Sequence, residues 1–319
     1  MAVLVGIDEA GFGPMLGPLV ISSVSFELPD DKIDADLWKL LRKSVVKNKK
    51  RSLGRLHIAD SKKVHDKSSG TKNLQRAVLA CLRLLDKIPA NLTELFKHLC
   101  PDMLDRIEAY PWYKDHSKHV LDGDNSDLDI CAGVLQKDLL KNNMRLLDMR
   151  SNCVDVFRYN QLVELMNNKS AVLFSTSSCF ILHAWNTFGE NNLQIVADRQ
   201  GGRSHYRAEL QKIFPAADFT ILKETEKTSS YEIREEKRKM RIHFVVKADD
   251  RFLPVSLASM TSKYMRELMV ENINRYFLSH HSELKPTAGY FEDGRRFISD
   301  IATLTPNIKY DPKQLIRTR

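Results

Sequence analysis

Two periods alternate along this chain. Short apolar runs of strand length, Ala2-Val3-Leu4-Val5-Gly6-Ile7, Leu19-Val20-Ile21, Leu193-Gln194-Ile195-Val196-Ala197 and Phe244-Val245-Val246, stand among stretches where apolar residues recur at helical spacing. Val134, Leu135, Leu139, Leu140, Leu146 and Leu147 predict a helical region. Residues 170–185, interrupted by Ser175-Thr176-Ser177-Ser178 and His183, predict a core-facing helix ahead of the strand at 193–198. Strands alternating with helices give an α/β fold.

What ends these strands matters more than the strands themselves. The first runs directly into Asp8-Glu9 and then Ala10-Gly11-Phe12-Gly13-Pro14. Two adjacent carboxylates at the tip of a buried strand are costly to desolvate and ask for a counter-charge such as a divalent cation. A solvated turn would explain the acids alone, but glycines allow close backbone approach to a ligand and Pro14 fixes the exit of the chain. A dinucleotide-binding turn is excluded: in Gly11-x-Gly13-x-x-x-Gly17 the last glycine is one residue late, and prolines interrupt the span where a helix should begin. The run at 193–197 also ends in an acid, Asp198.

The segment from Gly6 to Val20 resembles the first motif of the type 2 ribonucleases H, the ribonuclease HII family. Further likenesses follow in the family's order. Asp60-Ser61-Lys62-Lys63 is similar to its Asp-Ser-Lys-Lys motif, and Asp198 ends a matching strand. Lys247-Ala248-Asp249 resembles its Lys-Gly-Asp strand end, and Ala258-Ser259-Met260-Thr261-Ser262-Lys263 with Arg266-Glu267 its following helix. Ala288-Gly289-Tyr290 is similar to its C-terminal Gly-Tyr segment. The resemblance implies a ribonuclease H-like mixed β-sheet flanked by helices, with an inserted helical subdomain and a helical C-terminal region. It divides the chain into a catalytic domain of residues 1–87 and 156–263, an insertion at 88–155, and a C-terminal helical region at 264–319 that contributes to substrate binding.

The implied activity is metal-dependent endonucleolytic hydrolysis of the RNA strand in RNA–DNA hybrids, or at ribonucleotides embedded in duplex DNA, leaving 5′-phosphate and 3′-hydroxyl ends. Such hydrolysis suits two Mg²⁺ or Mn²⁺ ions, and hard cations favour carboxylate oxygens over Cys or His. Asp8, Glu9, Asp198 and Asp249 are therefore the expected catalytic and metal-holding residues, with Asp8 bridging both ions. Asp250 competes with Asp249 for the fourth place. Gly11, Phe12, Gly13, Ser61, Lys62 and Tyr290 are the expected substrate contacts. The family has an arginine where this chain has Phe12, which puts substrate choice in question because the glycine-flanked segment there grips the ribose 2′-hydroxyl. Two alternatives follow: a nuclease of the same fold with altered specificity, and a nucleic-acid-binding protein with little catalysis.

The intervals between motifs are longer than the family's, which implies surface insertions, and loop closure tolerates these at low cost. Within the first, residues 122–129 mimic a calcium loop. The sixth position is Asp127 rather than glycine and the twelfth is Gly133 rather than glutamate, so a solvated loop or helix cap is expected. The second insertion carries the mixed-charge run 223–241, read as a wet helix face or a hairpin with a possible phosphate-tracking role. His205, shortly after the third acid, is a candidate for proton transfer at the leaving group.

Charge fits a polyanion partner. The 49 Lys and Arg outnumber 41 Asp and Glu, giving a net charge of +8 over 319 residues, with a basic block from Arg42 to Arg55. Five cysteines without Cys-x-x-Cys spacing predict free thiols in a reducing compartment. No secretory leader and no run near the roughly 18 apolar residues of a membrane span are visible. A cytoplasmic monomer with no membrane association is expected.

Overall fold

The computed structural model describes residues 1–48, 53–65, 69–121 and 123–318. The centre of the basic block, residues 49–52, and Asp122 of the calcium-like loop lie outside the described residues.

Among the described residues, nine strands form two sheets. β1 (Ala2–Ala10), β2 (Leu19–Leu28), β5 (Arg145–Val154), β6 (Asn192–Asp198), β7 (Asp218–Glu224), β8 (Thr228–Glu235) and β9 (Arg238–Val245) make a seven-stranded mixed sheet in the order β5-β2-β1-β6-β9-β8-β7, while β3 (Val45–Val46) and β4 (Leu56–His57) pair separately. β1, β6 and β9 are mutually parallel neighbours at its centre; β2 and β8 run antiparallel to them. Helices α1 (Leu37–Leu40), α2 (Ser61–Val64), α3 (Lys72–Arg83), α4 (Leu92–Leu99), α5 (Leu104–Ile107) and α6 (Asn125–Lys141) precede β5. α7 (Val156–Met166), α8 (Lys169–Phe188) and α9 (Arg207–Ile213) follow it, and α10 (Leu253–His280), α11 (Phe291–Leu304) and α12 (Pro312–Leu315) complete the chain. The mixed sheet flanked by helices is the α/β architecture expected from the sequence.

Alternation along β1 splits its side chains between two cores. Val3, Val5 and Ile7 join α8 and the inner faces of β8 and β9, while Leu4 faces the larger core built around α3, α6 and α10. Gly6 occupies the point where α10 crosses β1: a Cβ there would lie 2.2 Å from the carbonyl carbon of Pro254. The crossing seats the α10 face carrying Ser259 and Ser262 over the end of β1, and Ser262 Oγ donates to the Asp8 carbonyl at 3.0 Å.

Several sequence expectations need correction. Residues 88–155 are not wholly a helical insertion, because Arg145–Val154 is the edge strand β5, antiparallel to β2. Leu146 and Leu147 continue the leucine spacing of α6 only by coincidence, since Asn143 at φ 54° has already ended the helix. No boundary falls at 264, which lies inside the continuous helix α10. Of the two readings of the mixed-charge run, the hairpin holds: it forms β8 and β9, turning at Glu236. The serine-threonine run leaves α8 unbroken because Thr176 and Ser177 hydroxyls donate back to the carbonyls of Val172 and Leu173, both at 2.9 Å. Asp124 caps α6 through the amides of Ser126 and Asp127, as the helix-cap reading expected.

Candidate active site

Three neighbouring parallel strands deliver acids to one end of the sheet. Asp8 and Glu9 lie near the end of β1, Asp198 is the last residue of β6, and Asp249 sits in the 3-10 turn Ala248–Asp250 just beyond β9. The β1–β6 register pairs Ile7 with Ala197, and the β6–β9 register pairs Asp198 with Val245, so the strand tips lie level. Lys247 enters the turn in the left-handed region at φ 55°, and the Ala248 amide donates to Asp198 Oδ1 at 2.7 Å.

The acids feel one another. Asp8, 6% exposed, is held well above the ordinary carboxylate range by burial and by the negative charges of Glu9, Asp198 and Asp249, against the opposing effect of a Ser259 hydrogen bond. Burial and the charge of Asp198 push Glu9 up to about 8. Burial, Asp60 and Asp198 push Asp249 up to about 6, and burial also raises Asp198 despite the backbone amides pointed at it. Glu9 Oε2 is buried without a hydrogen-bond partner. Asp250 stands apart, because Lys63 binds it at 2.6 Å and keeps its carboxyl low.

Hard, crowded, under-compensated carboxylates are the donor chemistry that a divalent cation matches, so the residues fit such an ion. Among the described residues, no three His, Cys, Asp or Glu side chains are gathered closely enough to form a ready metal cage. The four acids are electrostatic neighbours rather than a closed coordination shell.

The Asp60-Ser61-Lys62-Lys63 segment adjoins this cluster. Asp60 caps α2, accepting from the Lys62 amide at 2.9 Å. Ser61 is buried and accepts from Ser259 Oγ at 3.0 Å, which links α2 and α10 beside Asp8. Lys62 is exposed, and its charge lowers the pKa of both Glu9 and Asp198, so the ammonium stands near both.

The Gly11-Phe12-Gly13 turn continues from β1. Gly11 adopts φ +90°, and a Cβ there would come within 2.6 Å of the Pro18 carbonyl oxygen, so no other residue fits. Among the described residues, the amides of Gly11, Phe12 and Gly13 find no acceptor outside the sheet. The Phe12 ring packs against the core beneath α8, beside the backbone of Gly201. The Gly289 carbonyl accepts from the amides of Met15 and Leu16 at 2.9 and 3.1 Å, which brings Tyr290, 50% exposed, to the same loop, where Arg266 lies 5.7 Å from its ring. His205 is engaged elsewhere: its Nδ1 lies 3.1 Å from Glu224 at the mouth of the β7–β8 hairpin.

Sequence reasoning placed Ser259, Ser262 and Arg266 in a motif-bearing helix without giving them a role, and it passed over Arg317. Ser259 and Ser262 are spaced three apart on α10, a helical signal that two hydroxyls share one face. Arg266 is buried and reaches the carbonyls of Ala288 at 2.9 Å and Leu16 at 3.4 Å. Arg317 donates to the carbonyls of Gly17, at 2.8 Å, and Gly11. Nothing in the sequence near Arg317 marks it.

No protein-family model matches the chain, and no curated protein matches it in sequence. Among solved structures, it is similar to a chain of the PCNA:RNase HII complex from Archaeoglobus fulgidus, with 15% identity, a TM-score of 0.44, and coverage of 99% of this chain and 94% of that one. The ribonuclease H2 of Pyrococcus horikoshii OT3 gives 15% identity, a TM-score of 0.42, and coverage of 99% and 92%. Bst-RNase HIII in complex with Mn²⁺ gives 12%, 0.42, and coverage of 99% and 66%. At that distance the site has to be read from its own residues.

Proposed function

We propose that this protein is a metal-dependent endonuclease that hydrolyses the RNA strand of RNA–DNA hybrids or cuts at ribonucleotides embedded in duplex DNA. The observation that carries the reading is the set of acids at the tips of β1, β6 and β9, which raise one another's proton affinity and which the exposed Lys62 offsets only in part. Asp8, Glu9, Asp198 and Asp249 would hold two Mg²⁺ or Mn²⁺ ions. Such ions supply Lewis-acid polarisation of the phosphodiester and stabilisation of the leaving oxygen.

The chain's own residues bring the substrate to that point. Lys62, exposed beside Glu9 and Asp198, attracts the phosphate backbone. The amides of Gly11, Phe12 and Gly13 offer donors to the ribose and its phosphate, which is how a backbone can distinguish RNA by its 2′-hydroxyl without a charged side chain at position 12. Tyr290 presents an aromatic face at the rim of the same loop. Ser61 and Ser259 orient Asp8 from behind. Water adds at phosphorus and the P–O3′ bond breaks, leaving a 3′-hydroxyl and a 5′-phosphate. The division into a catalytic domain with an inserted helical portion before β5 belongs to the same reading, as do a soluble monomeric state and a cytoplasmic location. No helix among the described residues is long and apolar enough to cross a membrane.

The deciding assay offers a DNA duplex with one ribonucleotide, a full RNA–DNA hybrid and plain DNA, each with Mg²⁺ or Mn²⁺, to the wild type and to Asp8→Asn. Cutting confined to the ribose-containing duplexes, and lost in the variant, supports the proposal. Equal cutting of plain DNA points to altered specificity, and binding without cutting under either metal would overturn the hydrolase reading.

A further inference from the structure

The 11–17 loop carries no charged side chain of its own: it reads Gly-Phe-Gly-Pro-Met-Leu-Gly. It is nonetheless backed by two buried guanidiniums. Arg317 Nε donates to the Gly17 carbonyl at 2.8 Å and Nη1 to that of Gly11, so one planar group spans both ends of the loop. The Arg317 amide also donates to Met15 O at 2.9 Å, and Ile316 bridges to Leu16.

The segment carrying Arg317 is itself tied down. Asn160 on α7 donates to the carbonyls of Lys313 and Ile316 at 3.0 and 2.9 Å and accepts from the Thr318 amide at 2.7 Å. The Tyr159 ring lies 4.6 Å from the guanidinium.

Arg317 forms no ion pair among the described residues; besides the two carbonyls, its guanidinium is hydrogen-bonded to the Tyr159 side chain. Burial, aided by the neighbouring charge of Arg266, pulls it down to about 9. A buried cation without an acid is costly unless something nearby uses its field. Here the loop's carbonyls are drawn inward to the cations, while among the described residues the amides of Gly11, Phe12 and Gly13 find no acceptor outside the sheet. The result is an anion-favouring face on a loop made of uncharged residues.

We propose that Arg317 is the positioning residue of the 11–17 loop: it fixes both ends of the loop from behind and supplies the positive field that sets the loop's affinity for a nucleic-acid phosphate. This inference rests on the nuclease reading for the identity of the anion, but the anchorage stands on its own geometry.

Two measurements test it. Amide hydrogen exchange across residues 11–17, without nucleic acid, reads the anchorage: Arg317→Gln quickens exchange there by about tenfold while the centre of β1 keeps its protection. Cleavage of the duplex with one ribonucleotide reads the field: KM rises about tenfold and kcat falls by less than about threefold. Adding Phe12→Arg to Arg317→Gln restores KM, because the loop then carries its own charge, but not the exchange protection. Should Arg317→Gln fail to fold, Arg317→Lys keeps the charge and loses one of the two carbonyls, and an intermediate KM with faster exchange is expected. Unchanged exchange in a folded variant overturns the anchorage whatever the wild type cleaves, and unchanged KM overturns the field. If the wild type hydrolyses none of the duplexes while exchange still quickens, the nuclease reading fails and the anchorage stands.

Discussion

One sheet holds two groups of acids treated in opposite ways. On β8, Glu232 is shielded from water, which would raise its pKa, yet Arg241, Arg234 and Lys239 outweigh burial and hold it down at about 2. Arg241 Nε binds it at 3.0 Å and Lys239 Nζ lies at 3.1 Å. Three strands away, Asp8 and Glu9 are also buried, and the charges acting on them are chiefly carboxylates, with Lys62 opposing them at Glu9. The fold is able to neutralise an acid when neutrality is all that is needed. At the tips of β1, β6 and β9 it does so only in part, and that difference is what the proposed metal site rests on.

The sharpest way to break the contrast is to remove Asp8. Asp8→Asn lowers cleavage of ribonucleotide-containing duplexes by about a thousandfold or more. The same change raises metal-free stability at pH 8, because the fold holds the Asp8 carboxyl well above the range at which the unfolded chain releases its proton. Denaturant melts in EDTA measure the second effect, and a destabilised Asp8→Asn would mean that the acid is satisfied within the fold.

Cation binding comes next. Mn²⁺ at about a hundredfold excess over its dissociation constant stabilises the wild type by about 2.7 kcal/mol. Asp198→Asn removes most of that gain. A wild-type melting curve indifferent to Mn²⁺ and Mg²⁺ would contradict the assignment of the cluster.

The pH dependence of the metal-free protein has a definite sign. Glu9, raised from 4.5 to about 8, and Asp249, raised from 3.8 to about 6, keep protons in the fold that the unfolded chain has released. Their contribution to stability is complete below pH 4 and is lost as the pH climbs through 6 and then 8. Adding Mg²⁺ flattens this slope. Glu232 behaves in reverse: lowered from 4.5 to about 2, it contributes above its unfolded value and ceases to as the pH falls through about 2. Glu232→Gln therefore costs the smallest amount, about 1 kcal/mol at pH 7 once solvent screening at the sheet surface is allowed for. Equal slopes in the two variants would erase the distinction between the clusters.

The acids themselves were legible because a strand buried on both faces is a continuous apolar run, and an acid ending it has no packing reason to be there. Asp8, Glu9 and Asp198 carried that signal in the residues alone, whereas Asp249 emerged only from the resemblance of Lys247-Ala248-Asp249 to a motif. That β1, β6 and β9 lie side by side is a property of topology, which no local pattern records. β5 was misread because Leu146 and Leu147 fall seven residues after Leu139 and Leu140, a spacing that fits a helix, while the pairing that makes the segment a strand is with β2, far away in sequence. Arg317 was invisible for the opposite reason. In the sequence it is one more basic residue in a polar stretch, and only burial against Gly11 and Gly17 gives it meaning.

The bond from Arg317 to Gly11 spans 306 residues. Gly11 is synthesised well before Arg317, so its turn cannot be closed until the segments between them have been made. Pairings this distant form late, since the intervening chain must already be ordered to make the encounter affordable. A nascent chain thus carries its acid-bearing first strand before Arg317 is present to secure the 11–17 turn.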